Sequence, residues 1–283
     1  MGGPAGAISQ IYVRSALRSP VSWIAVLAAL FYTVMVSLDE PFFLSQAGIE
    51  LGVIESVLHV FGSNVLYTTW GLFIPLLFVI VPMLNKSEQE RLVAVRGGGR
   101  TELWVAKVLA IAKLSALLLG TVLLVAVALI APGRELSVHN WTAEYVEVTR
   151  AVAASPEGSL DPNYYRVAND YLVETKRPWT VALLQAGLLV LAFVVAGTLF
   201  AALAHYIKHP AFTFIVVAAY WLLILVPFGS AAAILWFFSP QMHIALDSRS
   251  VQFPYWVSYL YLLSSFVIFN VAGWRGQQRA VVG

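Results

Sequence analysis

The sequence predicts an all-α membrane protein with six transmembrane helices, and three observations carry that expectation. Six long apolar runs, 21–38, 66–84, 108–131, 180–204, 211–228 and 255–274, hold a single charged residue among them, Lys113. A helix rises about 1.5 Å per residue, so runs of this length match a hydrocarbon core of about 30 Å. The chain of 283 residues is 60% hydrophobic and only 11% charged, too few charges for an ordinary soluble surface. Basic residues also gather in alternate connections. The whole chain, 1–283, therefore reads as one transmembrane domain rather than a soluble enzyme with an anchor.

The connections between runs fall into two sets. The N-terminal segment, 85–107, 205–210 and the C-terminal segment hold ten Lys and Arg against three acids, Glu88, Glu90 and Glu102. The other set, 39–65, 132–179 and 229–254, holds six Lys and Arg against twelve acids. Cytoplasmic loops retain Lys and Arg, so the first set is expected inside, with both termini cytoplasmic in a multi-pass protein of the cell membrane. The N-terminus does not read as a cleaved signal. Its apolar run starts only at Val21, is longer than a signal core, and is followed by Asp39, Glu40 and Pro41. There is no cysteine, which excludes disulfides, thiolate metal sites and a cysteine nucleophile. The small basic excess suits loops facing anionic lipid, and no patch suits nucleic acid.

Residues 7–19 mix Ile8, Ile11, Tyr12 and Leu17 with Arg14 and Arg18 before Pro20. They read either as a helix lying in the interface or as a basic flank that sets topology. Residues 39–65 read as an outer loop with a short helix over 49–61. Pro75 and Pro82 fall inside the second run, where proline frees a carbonyl and bends a helix. Thr101 is expected to cap the helix that leads into the third run. Lys113 lies just inside the cytoplasmic end of that run, where snorkelling explains it. The insertion 133–178 reads as two outer helices, 142–154 and 162–176, split by Ser155-Pro156-Glu157-Gly158. Tyr145, Val148 and Val152 recur there at helical spacing. Residues 229–254 are too short to cross and are broken by Ser239-Pro240, which predicts short outer helices or a re-entrant turn between the fifth and sixth spans. Trp179, Trp236, Tyr255, Trp256 and Trp274 lie near span ends, as an aromatic belt does.

Several chemistries have no sequence basis. No Asp or Glu lies in any run, which argues against an ion-driven transporter. Gln185 and Asn270 are the main amides, and interhelical hydrogen bonding accounts for them. There is no H-E-x-x-H, no G-x-S-x-G and no serine–histidine pair evident at membrane depth. His205 and His209 share a short loop with no third ligand near. No P-loop exists, because Gly97-Gly98-Gly99-Arg100 lacks both the spacing and the lysine. Uphill transport would take its energy from another subunit.

The segment 85–107 carries the functional reading. Ser87 to Val95 suits a short helix, with Ser87 as cap and Glu88 and Glu90 in its first turn. Gly97, Gly98 and Gly99 break it, and a second helix enters the third run. An acid after the second span, Arg91-Leu92, a small-residue break, Arg100 and a helix reaching Lys107 resemble the pattern of ABC-2 type transporter permeases. Arg14-Ser15-Ala16-Leu17-Arg18-Ser19-Pro20 looks like their N-terminal interfacial helix, here 1–20. Six spans, both ends inside and short outer helices between spans five and six also match. The long outer insertion departs from the simplest members.

The resemblance implies a non-catalytic permease subunit whose coupling elbow, 85–107, docks on a P-loop ATPase. Glu88, Arg91, Leu92, Val95, Arg96 and Arg100 would make that contact. It further implies two permease subunits with two ATPases, ATP and Mg being held by the ATPases and no cofactor by this chain, in a bacterial or archaeal membrane. Uncharged spans favour an apolar or amphipathic substrate such as a lipid, drug or peptide. The alternatives are an ATP-independent channel or carrier, and a membrane scaffold, immunity or sensor subunit acting through its outer cap.

Overall fold

The computed structural model describes residues 4–46, 48–62, 67–84, 99–155, 168–207, 209–225, 237–246 and 248–279, and every regular element among them is helical. In chain order these are α1 (Pro4–Arg18), α2 (Pro20–Gln46), α3 (Val53–Gly62), a π-helical turn (Tyr67–Phe73) leading into α4 (Ile74–Leu84), and α5 (Arg100–Ile130). There follow α6 (Ala143–Ala154), α7 (Asp170–Thr175), α8 (Pro178–Leu203), α9 (Pro210–Trp221) with a 3-10 turn (Leu222–Leu225), α10 (Pro240–Ile244) and α11 (Tyr255–Arg279). Five stretches are long and apolar enough to cross a bilayer: α2, Tyr67–Leu84, α5, α8 and α11. The fifth of the six apolar runs is described as the twelve residues of α9 and its 3-10 turn.

α8 is apolar all round and is enclosed by its neighbours, as a helix without a polar face must be. α11 and α5 pack along it. α2 and α11 keep one face outward. On α11 that face is Trp256, Leu260, Leu263, Val267, Val271 and Trp274, a three- and four-residue stripe suited to lipid. Small residues allow close crossings. A Cβ at Gly197 of α8 would lie 2.6 Å from Ile111 and 2.9 Å from Ile80, so α8, α5 and α4 meet there on a bare backbone.

α1 is a packed helix. Ser9, Tyr12 and Ala16 are buried at helical spacing against α5 and α4, while Arg14 and Arg18 stay exposed. Lys113 donates to the Ser9 hydroxyl at 2.7 Å, so its ammonium is fastened to α1. α5 begins eight residues ahead of its apolar run, and Lys113 sits about 20 Å along it from Arg100. We call the end of the bundle that carries α1 and the last turn of α11 the termini face, and the opposite end the cap face.

The structure corrects several local expectations. Residues 39–46 are not loop: α2 continues through Pro41 to Gln46, and Leu44 anchors its last turns in a small second core with Ile49, Leu51, Tyr145 and Val148. That buried contact outweighs the single backbone bond that proline removes. The short helix starts at Val53, four residues later than expected, because Ile49 and Leu51 are pulled into that core in a non-helical segment. Thr101 is not a cap. It lies inside the first turn of α5, whose N-cap is Gly99, and its hydroxyl accepts from Trp274 at 3.1 Å and Gln278 at 3.4 Å. The Glu102 carboxylate instead takes the Gly99 N–H at 3.2 Å. Before Pro75 the second run winds as a π-helix, a wider turn that relieves the ring's clash with the carbonyl four residues back. α6 follows its expected span closely, with Thr142 as N-cap.

Candidate functional site

A cluster of buried polar groups lies at the cap face, around the short helix α10. Ser239 donates to the Trp221 carbonyl at 2.7 Å and turns the chain back toward the bundle, and Pro240 opens the helix where no N–H is needed. Gln241 donates to the Thr68 hydroxyl at 2.7 Å, in the first turn of the π-helix. Gln185 of α8 donates to the Ile244 carbonyl and accepts from the Tyr255 hydroxyl at 3.4 Å. The Leu246 N–H reaches the Gly62 carbonyl at 2.8 Å. Asn169, at the start of α7, donates to the Leu246 carbonyl at 3.1 Å. α10 and the chain that follows it to Arg249 are thus held by α3, the π-turn, α7, α8 and α11.

At its centre lies Arg249, only 3% exposed. It donates to the Ser258 hydroxyl at 2.6 Å and to the His243 carbonyl, and its guanidinium lies 4.6 Å from the Tyr255 ring centroid and 5.6 Å from that of Phe253. Aromatic faces and carbonyl dipoles replace part of the water this cation loses. Tyr255 is 5% exposed, so it is a wall of this site and not part of an interfacial belt, whereas Trp179, Trp256 and Trp274 do face outward. Its hydroxyl finds Gln185 inside the bundle, which outweighs the pull of an interface.

The hydrogen bonds have one direction. Because Arg249 donates to Ser258, the serine proton is left for His243 Nδ1 at 3.3 Å, and His243 carries its own proton on Nε2, donated to the Phe237 carbonyl at 2.7 Å. Burial first, and Arg249 as a lesser cause, push the imidazole down to about 4 from its ordinary 6.5; the Phe237 carbonyl opposes them. The neutral ring is therefore the folded form. Stability from this group is complete above 6.5 and is lost as pH falls toward 4. Thermal melting in detergent should show that decline, and His243→Gln, a neutral amide able to donate to Phe237, should lack its share of the slope. An identical slope in the variant would assign the decline elsewhere.

Ser258 and His243 form a serine–histidine pair that the sequence did not reveal. Both are fully buried, and the Ser258 hydroxyl is held by Arg249 as well as by His243. Among the described residues no three His, Cys, Asp or Glu side chains could hold a metal ion. Beside the polar layer a groove of about 240 Å³ opens between α3, α5 and α8, lined by apolar side chains such as Phe61, Leu119, Leu123, Ala186 and Leu189, with Gln185 at its back.

Of the residues expected to meet an ATPase, Glu88, Arg91, Leu92, Val95 and Arg96 lie outside the described residues. Arg100 is described: it is half-buried and donates to the Gln278 carbonyl at 2.6 Å, tying α5 to α11. Asn270 and Gln185 hydrogen-bond between helices as expected, Asn270 accepting from Trp104 at 2.7 Å. No protein-family model matches the chain, and no curated protein matches it either.

Proposed function

We propose that the chain is the permease subunit of an ATP-driven exporter of the ABC-2 kind, with six spans, both termini cytoplasmic and the cap face outside. The fifth apolar run, 211–228, which includes most of α9, is the fifth span. The observation that favours this reading most is the position of the 85–99 connection. It joins α4 to α5 on the termini face, the side that α1 shares, and α5 continues about 20 Å beyond the Lys113–Ser9 contact toward it. That part of α5 is tied along α11 by Arg100, Trp104 and Lys107, which suits a lever moved by a partner. A P-loop ATPase carrying ATP and Mg would drive it, and a second permease subunit would complete the pathway. The apolar groove beside Gln185 and the uncharged spans favour an apolar or amphipathic substrate.

Purification from native membranes in mild detergent tests this reading. The chain should bring down a P-loop ATPase, identified by mass spectrometry, and the assembly should hydrolyse ATP. Leu92→Asp should lose the partner more completely than Arg91→Ala. A buried leucine contributes about 2 kcal/mol, whereas an exposed charge pair contributes at most about 1 kcal/mol. A wild-type chain that never retains an ATPase, or a Leu92→Asp variant that retains it fully, removes the proposal.

A further inference from the structure

Glu55 sits in the first turn of α3 and is 2% exposed. Its Oε1 accepts the Thr142 N–H at 2.9 Å, and Thr142 is the N-cap of α6. Its Oε2 is buried with no hydrogen-bond partner. The carboxyl closes against Gly52, where any Cβ would press on Oε2 and lie 2.7 Å from Thr142 Cγ2. The strands of chain around it are tied together: Val53 N–H reaches the Glu135 carbonyl at 2.9 Å, and Arg134 donates to the Leu51 carbonyl at 2.6 Å and the Ser56 hydroxyl at 3.1 Å. α6 thus has two fastenings, this carboxyl on α3 and the small apolar core that joins Tyr145 and Val148 to Leu44 of α2 and to Ile49 and Leu51 between α2 and α3.

A buried carboxylate with a bare oxygen costs more than a neutral acid in the same place, because only the ion takes a full charge out of water. The groups that face Glu55 do not rescue the charge. Glu135, from the turn after α5, has the same sign, and Tyr145 of α6 is neutral, its own hydroxyl pushed up by burial and by Glu55. Arg134 is engaged by Leu51 and Ser56. Glu50, Glu135 and Glu144 line the adjoining cavity of about 300 Å³ together with Arg134, three acids against one cation.

We propose that Glu55 is a proton-binding site that clasps the α6 cap to α3: the neutral carboxyl seats against Thr142, and loss of its proton to water releases the cap. This stands whether or not the chain is a transporter subunit. Burial, with Glu135 as a lesser cause, raises the carboxyl above its ordinary 4.5 against the opposing hydrogen bonds of the Thr142 N–H, its own N–H and the Thr142 hydroxyl. A raised acid stabilises the closed cap fully below the ordinary value, and that stabilisation disappears as pH rises through the raised one. The cap is therefore tight in acid and loose in base.

Hydrogen–deuterium exchange on the full chain in lipid nanodiscs, corrected for intrinsic rates, reads this directly. Between pH 4 and pH 8 the protection of the Tyr145–Arg150 amides should fall severalfold in the wild type. Glu55→Gln should be protected at both values, and Glu55→Ala at neither. Glu135→Gln should keep the transition, at the same pH or lower. Equal protection of the wild type at both pH values overturns the proposal without any variant. So does a Glu55→Gln chain that keeps the wild-type transition, or a Glu135→Gln chain that loses it.

Discussion

Arg249→Ala should lower the stability of the solubilised protein by about 3 kcal/mol, among the largest effects of any single truncation at the cap face. The change strips a donor from the His243 carbonyl and from Ser258, both buried, and removes the cation that lies over Tyr255 and Phe253. A hydrogen bond from a charged group contributes about 1.5–3 kcal/mol, and a buried acceptor left without a donor carries its full desolvation cost. Arg249→Lys should recover less than half of the loss. A lysine offers a point charge on a flexible stem and cannot present the planar fork that reaches a hydroxyl and a carbonyl at once. The damage should be local first. α10 and the residues after it are held to α3, the π-turn, α7, α8 and α11 by a few hydrogen bonds each at most, so losing their centre should make the 237–250 segment the earliest to yield to protease while the long helices persist. Melting followed by limited proteolysis tests both claims. Wild-type melting of Arg249→Ala would mean that α10 is held by its periphery alone.

The difference between what could be read from the sequence and what could not follows the range of the interactions. Apolar runs announce spans because a bilayer imposes one length and one composition on consecutive residues. Helix ends carry no such signal. α2 from Asp39 to Gln46 and α5 from Arg100 to Lys107 are helical but polar, and hydropathy stops short of both. The polar layer is harder still. Gln241 meets Thr68 across 173 residues and Gln185 meets Ile244 across 59, and no local spacing encodes either contact. Arg249 has the same local appearance as any outer-loop charge. The one available signal was its surroundings: an arginine between His243, Phe253 and Tyr255 after a Ser-Pro break. Glu55 was equally disguised, since a single acid in an otherwise apolar helix also fits a solvated face.

Gly273→Ala should cost a similar amount at the opposite end of the molecule, through overcrowding. A methyl at this position of α11 overlaps the Trp104 indole. The indole has nowhere to go: Trp104 is 2% exposed, its N–H is held by Asn270 at 2.7 Å, and the His205 ring lies on another side with centroids 6.0 Å apart. α11 must move away from α5 instead. That motion strains Arg100 to the Gln278 carbonyl at 2.6 Å and Lys107 to the Gln277 amide oxygen at 2.9 Å, which close the same seam. Overpacking costs about 1–3 kcal/mol and each lost hydrogen bond about 1 kcal/mol more. Trp104→Ala opens the space, so Gly273→Ala made in that background should be nearly harmless, with a coupling of about 2 kcal/mol in the double-mutant cycle. Simple additivity of the two changes would show that the contact does not set the helix spacing. The seam also bears on the proposed coupling, because it is where the start of α5, next to the 85–99 connection, is joined to the last turns of α11. A lever transmits only if it is rigidly joined to what it moves. On that reading Gly273→Ala should keep its ATPase partner while losing substrate-stimulated hydrolysis, the opposite of Leu92→Asp, which should lose the partner itself.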